Sequence, residues 1–327
     1  MNKLGVKVEE FSRESLPEVM ESAGMDWQVE QVPLFLGEKV NVWTEDGYQS
    51  QFEPTKKQVE THVANRRTDN KDVLAVVGKR YEVFQNRELA ELVLAVEGES
   101  GAKLDSAGIF GGGKDVFFLL QNGSFKLPGD DVVQTYHFFG NNHAGNRGIN
   151  VVPTSRRPMC DNILNAVVEK ADMRGLRLWH TKNLRTRLSD SLQAIKVSEE
   201  SANRFQQRCE YLASRVINAA GVREYFTSVY EQQYGPEPKL DEFSPKGDKQ
   251  RLKRRADALA AWNANLQKEV ERMNGSQITA WNALNAVTEW SDHERRGDDR
   301  MRSQANLLGA SAKFKESAFR LAGRVGV

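Results

Sequence analysis

The sequence predicts an α+β protein, an antiparallel β-meander core followed by a largely helical C-terminal half. Three observations predict it. Up to Pro158 the chain is made of short apolar runs punctuated by Gly, Pro and Asn, the pattern of sequential strands joined by tight turns. Beyond Pro158 it turns to Ala-, Arg- and Asn-rich stretches with apolar residues at helical spacing. Strands and helices do not alternate as a doubly wound parallel sheet requires. The expected organisation is a β-rich core with a short helix over 1–158, a helical region packed on it over 159–234, a Pro/Gly-rich hinge over 235–248, and a helical C-terminal region over 249–327.

Taken in order, residues 25–60 carry short strand-like pieces, VEQVPLFLG and VNVWT, broken by Pro33, Gly37 and Gly47. Residues 73–84 read as strand, turn or bulge at Gly78, then strand. Residues 86–97 read as a helix with Asn86 as N-cap, because Leu89, Leu92, Val93 and Val96 share one helical face. Residues 102–140 return to strand, with turns at Gly111–Gly113 and at 121–131. The polar loop 140–148 leads to a last strand, INVVPT. A helix is expected over 159–171, then nearly continuous helix over 188–233 with a break around Gly221, then helix again over 249–322.

Composition limits the function classes. The 327 residues are about two domains' worth of chain. With 39% hydrophobic and 28% charged residues, the composition is that of a globular protein. No run approaches the roughly 20 apolar residues of a membrane span, so no membrane partner is expected. The opening MNKLGVKVEEFSRE lacks the apolar core of a secretory signal. Two cysteines, Cys160 and Cys209, are too few for a disulfide framework; both are expected as free thiols in a cytoplasm. The net charge of +1 excludes a uniformly basic nucleic-acid coat but not a local basic groove.

Gly108 to Lys114 matches seven positions of a phosphate loop, but Asp115 stands where Ser or Thr should hold magnesium, and a strand rather than a helix follows. A glycine hairpin turn is the expectation. No two of the five histidines sit at i,i+3 or i,i+4, and no cysteine lies near one at zinc spacing, so neither a metal nor another cofactor is expected. Asp292-His293-Glu294 is the densest titratable cluster and the candidate catalytic centre if the chain is an enzyme; the alternative is a solvated helix face.

Charge is uneven along the chain. Residues 147–187 hold nine basic and three acidic residues. Within this segment Arg147, Arg156, Arg157, Arg174, Arg177, Lys182 and Arg185 are candidate phosphate partners, and Trp179 and His180 candidate stacking platforms. A second run, Lys246 to Arg255, holds six basic residues and one Asp. The expected partner is a nucleic acid, single-stranded DNA before duplex, bound by a homo-oligomer.

Five blocks carry a resemblance: Ala23–Glu30 with Val32–Phe35, Val76–Asn86, Arg157–Leu164 with its Arg, Cys and Asn, Trp179–Asn183, and Thr279–Arg295. In order and content they resemble a family of phage- and plasmid-encoded proteins catalogued as a domain of unknown function (nine-three-two). The resemblance implies a mobile-element setting in a bacterial host's cytoplasm and carries over no activity. Three function classes are weighed: a single-strand binding or annealing protein of recombination or replication, a metal-dependent enzyme acting on nucleic acid, and a host-directed interaction protein.

Overall fold

The computed structural model describes residues 6–45, 47–157, 162–165, 176–186, 197–239, 245–273, 277–294 and 310–324. In chain order the N-terminal elements are β1 (Val6–Lys7), α1 (Leu16–Ser22), β2 (Val29–Thr44), β3 (Gly47–Arg67), β4 (Val73–Gly78) and α2 (Asn86–Ser100). Then come β5 (Lys103–Phe110), β6 (Asp115–Leu127), β7 (Asp131–Asn142), β8 (Ile149–Arg157), β9 (Asn162–Asn165) and β10 (Leu176–Leu178). The helical half comprises α3 (Val197–Ser214), α4 (Ala219–Tyr234), α5 (Lys246–Arg272), α6 (Ala280–Glu289) with a π-helical turn over Trp290–Glu294, and α7 (Ala310–Ala322).

The α+β architecture is as expected. A seven-stranded antiparallel sheet runs β1-β5-β6-β7-β8-β10, with β9 also paired to β8, and β5 to β8 form the meander. Strand β6 shows why it lies at the centre. Val116, Phe118 and Leu120 pack toward α1 and α2, while Phe117 and Leu119 join Phe110, Tyr136 and Phe138 in a separate cluster. Side chains alternate across a strand, so an unbroken apolar run belongs where both faces are covered. Each such buried Phe or Leu contributes roughly 1.5–3 kcal/mol.

Helix α2 buries Leu89, Leu92, Val93 and Val96, the face read from their spacing. Its cap differs from expectation. Gln85, not Asn86, forms the capping box with Glu88, and Asn86 is buried with its amide donating to the Met25 and Trp27 carbonyls.

Four other expectations are corrected. Residues 25–60 are not short pieces but parts of two strands of 16 and 21 residues. Pro33 and Gly37 sit at register shifts, not strand ends. Beyond Gly78 there is no second strand; residues 81–85 lie outside any ladder and bond to side chains and loops instead. The sheet does not end at Pro158: β9 and β10 add to the two ends of β8, so residues 162–165 are strand, not helix. The helical break falls at 215–218, where Val216 bridges Thr279 and Asn218 caps α4 by accepting from the Gly221 amide. Residues 158–161 and 166–175, including Cys160, lie outside the described residues. Cys209 is buried in the helical core.

Strands β2 and β3 form a ribbon that stands away from the body. No residue from Glu30 to Val63 for which burial is described is buried, and Phe35, Leu36, Trp43 and Phe52 are exposed.

The helical half docks at the β6–β7 hairpin. Leu127 and Val133 enter the helical core, and the Trp281 indole donates to buried Asp131 at 2.8 Å. The start of the Pro/Gly-rich segment is clamped: Arg251 donates to the Tyr234 and Pro236 carbonyls, and Arg255 pairs with Glu231 and Glu237.

The glycine turn is structural. Gly111–Gly113 is a 3-10 turn between β5 and β6. A Cβ on Gly113 would lie 2.6 Å from the Trp27 ring, and Gly113 has φ +102°. Arg67 lies over Trp27 at 4.3 Å and donates to the Gly112 carbonyl at 2.9 Å. Gly113→Ala is therefore expected to cost roughly 1–3 kcal/mol in denaturant unfolding. Gly112→Ala, with nothing within 4 Å, should cost less. Equal costs would count against the Trp27 contact.

Candidate functional site

The basic segment divides into cations already engaged and cations facing solvent. Arg185 bonds both Glu82 at 3.1 Å and Glu88 at 2.7 Å. The Glu88 carboxylate, then Glu82, holds its guanidinium pKa above the usual value. Arg147 pairs with buried Asp115 at 3.5 Å. Arg156 lies half-buried in β8, opposite Gln134 and Ile163. Arg157 is the last residue of β8, and Arg174 lies outside the described residues.

His180 is not a platform for a base. It is buried, and Tyr81 covers its ring at 4.4 Å centroid distance. The solvent-facing group is Arg177, Trp179 and Lys182, all exposed, on the edge strand β10 and the turn after it. The Arg177 Nε donates to Asn150, its cross-strand neighbour on β8, at 2.9 Å. On α5, Lys246, Lys249 and Lys253 share one helical face and are exposed, as is Arg254.

In the Asp292-His293-Glu294 cluster Asp292 is buried in the helical half, His293 is half-buried and Glu294 is exposed. Asp292 accepts from Lys315 at 2.7 Å, and both side chains are buried. Burial pushes the Lys315 amine down, against the pull of Asp292. Glu294 accepts from the Asn265 amide at 2.7 Å. Nearby, Arg272 binds buried Glu269 and Glu289. These contacts neutralise carboxylates and tie helices together. The basic strand β10 meets β8 beside the Gly140 end of β7, whereas the helices dock at its Asp131 end. The two ends of the twelve-residue β7 are about 37 Å apart at strand rise. A basic clamp around β10 is thus not built beside Asp292.

Sequence reasoning missed a buried polar cluster at the Asn142 end of β7. His143 is fully buried, with Nε2 2.8 Å from Asn86 Oδ1. Asn86 uses its amide hydrogens on Met25 and Trp27, so the oxygen faces His143 and the His143 proton sits on Nε2. His180 Nδ1 lies 2.9 Å from the Glu82 carbonyl and must donate to it. Asn141 donates to the Phe84 carbonyl at 2.7 Å. The Tyr81 hydroxyl donates to the Asn142 carbonyl, and Asn142 donates to Asp115. Burial holds the His143 imidazole down at about 3, with the neighbouring His180 ring adding to it. Burial lowers His180 as well. The only signal in the sequence was the density of polar residues in GNNHAGNRG. Among the described residues no three His, Cys, Asp or Glu side chains gather as a metal centre.

The model of a family described as Domain of unknown function (DUF932) matches residues 73–317. The chain belongs to this family. The DUF932 match runs from β4 into α7 and takes in β10, the buried polar cluster and Asp292. It contains four of the five resembling blocks; the block at Ala23–Phe35 lies before it, as does the β2–β3 ribbon. No curated protein matches, and no solved structure matches. No helix among the described residues is long and apolar enough to cross a membrane.

Proposed function

We propose that this DUF932 chain binds nucleic acid, a single strand before a duplex, along β10 and the turn that follows it. The observation that carries the reading is Trp179, 48% exposed, between the exposed cations Arg177 and Lys182. An exposed indole flanked by cations suits a strand whose backbone is neutralised and whose bases can stack. The lysine face of α5 is a second cationic surface for the same polyanion. Such a grip holds base faces and leaves the pairing edges open, as annealing in recombination or replication requires.

Self-association is the second part of the proposal, with the ribbon as its contact. An isolated two-stranded ribbon is marginal in water. Its exposed Phe35, Leu36, Trp43 and Phe52 are apolar surface that a second copy would cover. The enzyme alternative is weaker, because Asp292 is paired with Lys315 within the helical core.

Gel shifts with single-stranded DNA, duplex DNA and RNA across a salt series test the reading. Changing Arg177 and Lys182 together to Ala should flatten the single-strand slope of log affinity against log salt by about 1.4. Trp179→Ala should weaken binding by roughly 1–3 kcal/mol and leave the slope unchanged, because stacking releases no counterions. A chain that ignores all three nucleic acids at low salt sinks the proposal.

A further inference from the structure

The polar cluster behind β10 contains three buried atoms without hydrogen-bond partners: His143 Nδ1, His180 Nε2 and Asn141 Oδ1. Their chemistry follows from what the rest of each side chain does. The His143 proton is on Nε2, facing Asn86 Oδ1, so Nδ1 is a bare lone pair. The His180 proton is on Nδ1, facing the Glu82 carbonyl, so Nε2 is a bare lone pair. The Asn141 amide nitrogen is spent on Phe84, and the orphaned oxygen is an acceptor. All three are acceptors, and none can donate to another.

They also belong to one neighbourhood. Their fixed partners are the Glu82 and Phe84 carbonyls and the Asn86 side chain, all within the five residues that lead into α2. Tyr81 connects the two rings: it stacks on His180 and donates to the Asn142 carbonyl, one residue before His143. A buried water suits this set poorly. It has two hydrogens for three acceptors, and its own lone pairs would need donors that the three atoms do not supply. A cation meets the need directly. Two neutral imidazoles, each held by its other nitrogen on a carbonyl-type oxygen, have the support that metal-ligating histidines show.

We propose that His143 Nδ1 and His180 Nε2 ligate one divalent transition-metal ion of the zinc type, with Asn141 Oδ1 coordinating the ion or accepting a hydrogen bond from a water on it. Imidazole nitrogens with an oxygen third ligand suit Zn²⁺ and Co²⁺ and disfavour Mg²⁺ or Ca²⁺. The ion fastens the turn after β10 to the end of β7 and so stiffens the backbone beside Trp179. It does not depend on the nucleic-acid reading, since uptake is measured on the chain alone.

The full chain is stripped with chelator and titrated with Co²⁺ and Zn²⁺. One equivalent should be taken up, with visible Co²⁺ d–d absorption that Zn²⁺ abolishes and Mg²⁺ does not. His180→Gln and His143→Gln should each weaken uptake by roughly tenfold or more. His62→Gln, on the exposed ribbon strand, should leave it unchanged. If either variant loses its circular dichroism, X-ray absorption of the Zn²⁺-loaded wild-type chain counts the ligands, and two imidazoles are expected. No uptake by a folded apo chain, full uptake by folded His180→Gln, or fewer than two imidazoles on the ion overturns the proposal.

Discussion

Lys315→Met is expected to destabilise the helical half by about 3–5 kcal/mol. The two side chains fit: methionine fills most of the volume of the lysine stem, so the loss is electrostatic rather than steric. Lys315 and Asp292 are 0% and 2% exposed and 2.7 Å apart. Removing the amine leaves a carboxylate facing a core that includes Phe314 and Trp262 without its cation. Replacing both, Lys315→Met with Asp292→Leu, should recover most of the loss, because a buried pair exchanged for apolar residues is often neutral or better. Urea unfolding of the two singles and the double forms a complete cycle. A single variant as stable as the parent, or a double variant no better than Lys315→Met, would falsify the assignment of the pair as a structural unit.

A second large effect is expected on the acid side of neutrality. Burial holds His137 down at about 4, and its Nε2 contacts the Asn122 amide at 2.8 Å. In the unfolded chain the same imidazole titrates near 6.5. Between those values the unfolded state takes up a proton that the folded state refuses, so stability rises with pH. The His137 contribution is complete above about pH 6.5 and is lost as pH falls toward 4, at ~1.4 kcal/mol per pH unit and ~3 kcal/mol in all. His137→Gln keeps an acceptor for Asn122 without the titration. Unfolding curves at several pH values should show a shallower acid loss for the variant; parallel losses in both chains would remove His137 as the cause.

What could be read from the sequence was local. The buried face of α2 was visible because its apolar residues recur at helical spacing, and the meander because each strand ends in a turn. The ribbon was hidden for the converse reason. Glu38, Asn41, Gln49 and Gln51 give no alternation, because neither face of the ribbon is buried. Strands β9 and β10, of four and three residues, are made by pairing with β8 more than by their own composition. Site chemistry failed to show for lack of distance information. Arg185 was a plausible phosphate partner until Glu82, 103 residues away, was found to hold it. Lys315 was unremarked because its carboxylate is 23 residues back on another turn. His143 acquires a fixed tautomer only through Asn86, 57 residues distant.

The ribbon also changes how the molecule moves through water. From Pro33 to Trp43 its strands extend about 33 Å at strand rise, and at the far end nearly every residue is exposed to solvent. Friction depends on reach more than on mass, so this slender projection slows tumbling and diffusion well beyond what a 36.9 kDa sphere would show. A single copy will elute early from a sizing column, at the volume of a larger compact protein. Apparent size therefore says little about association for this chain, and scattered-light mass is the quantity that separates one copy from two.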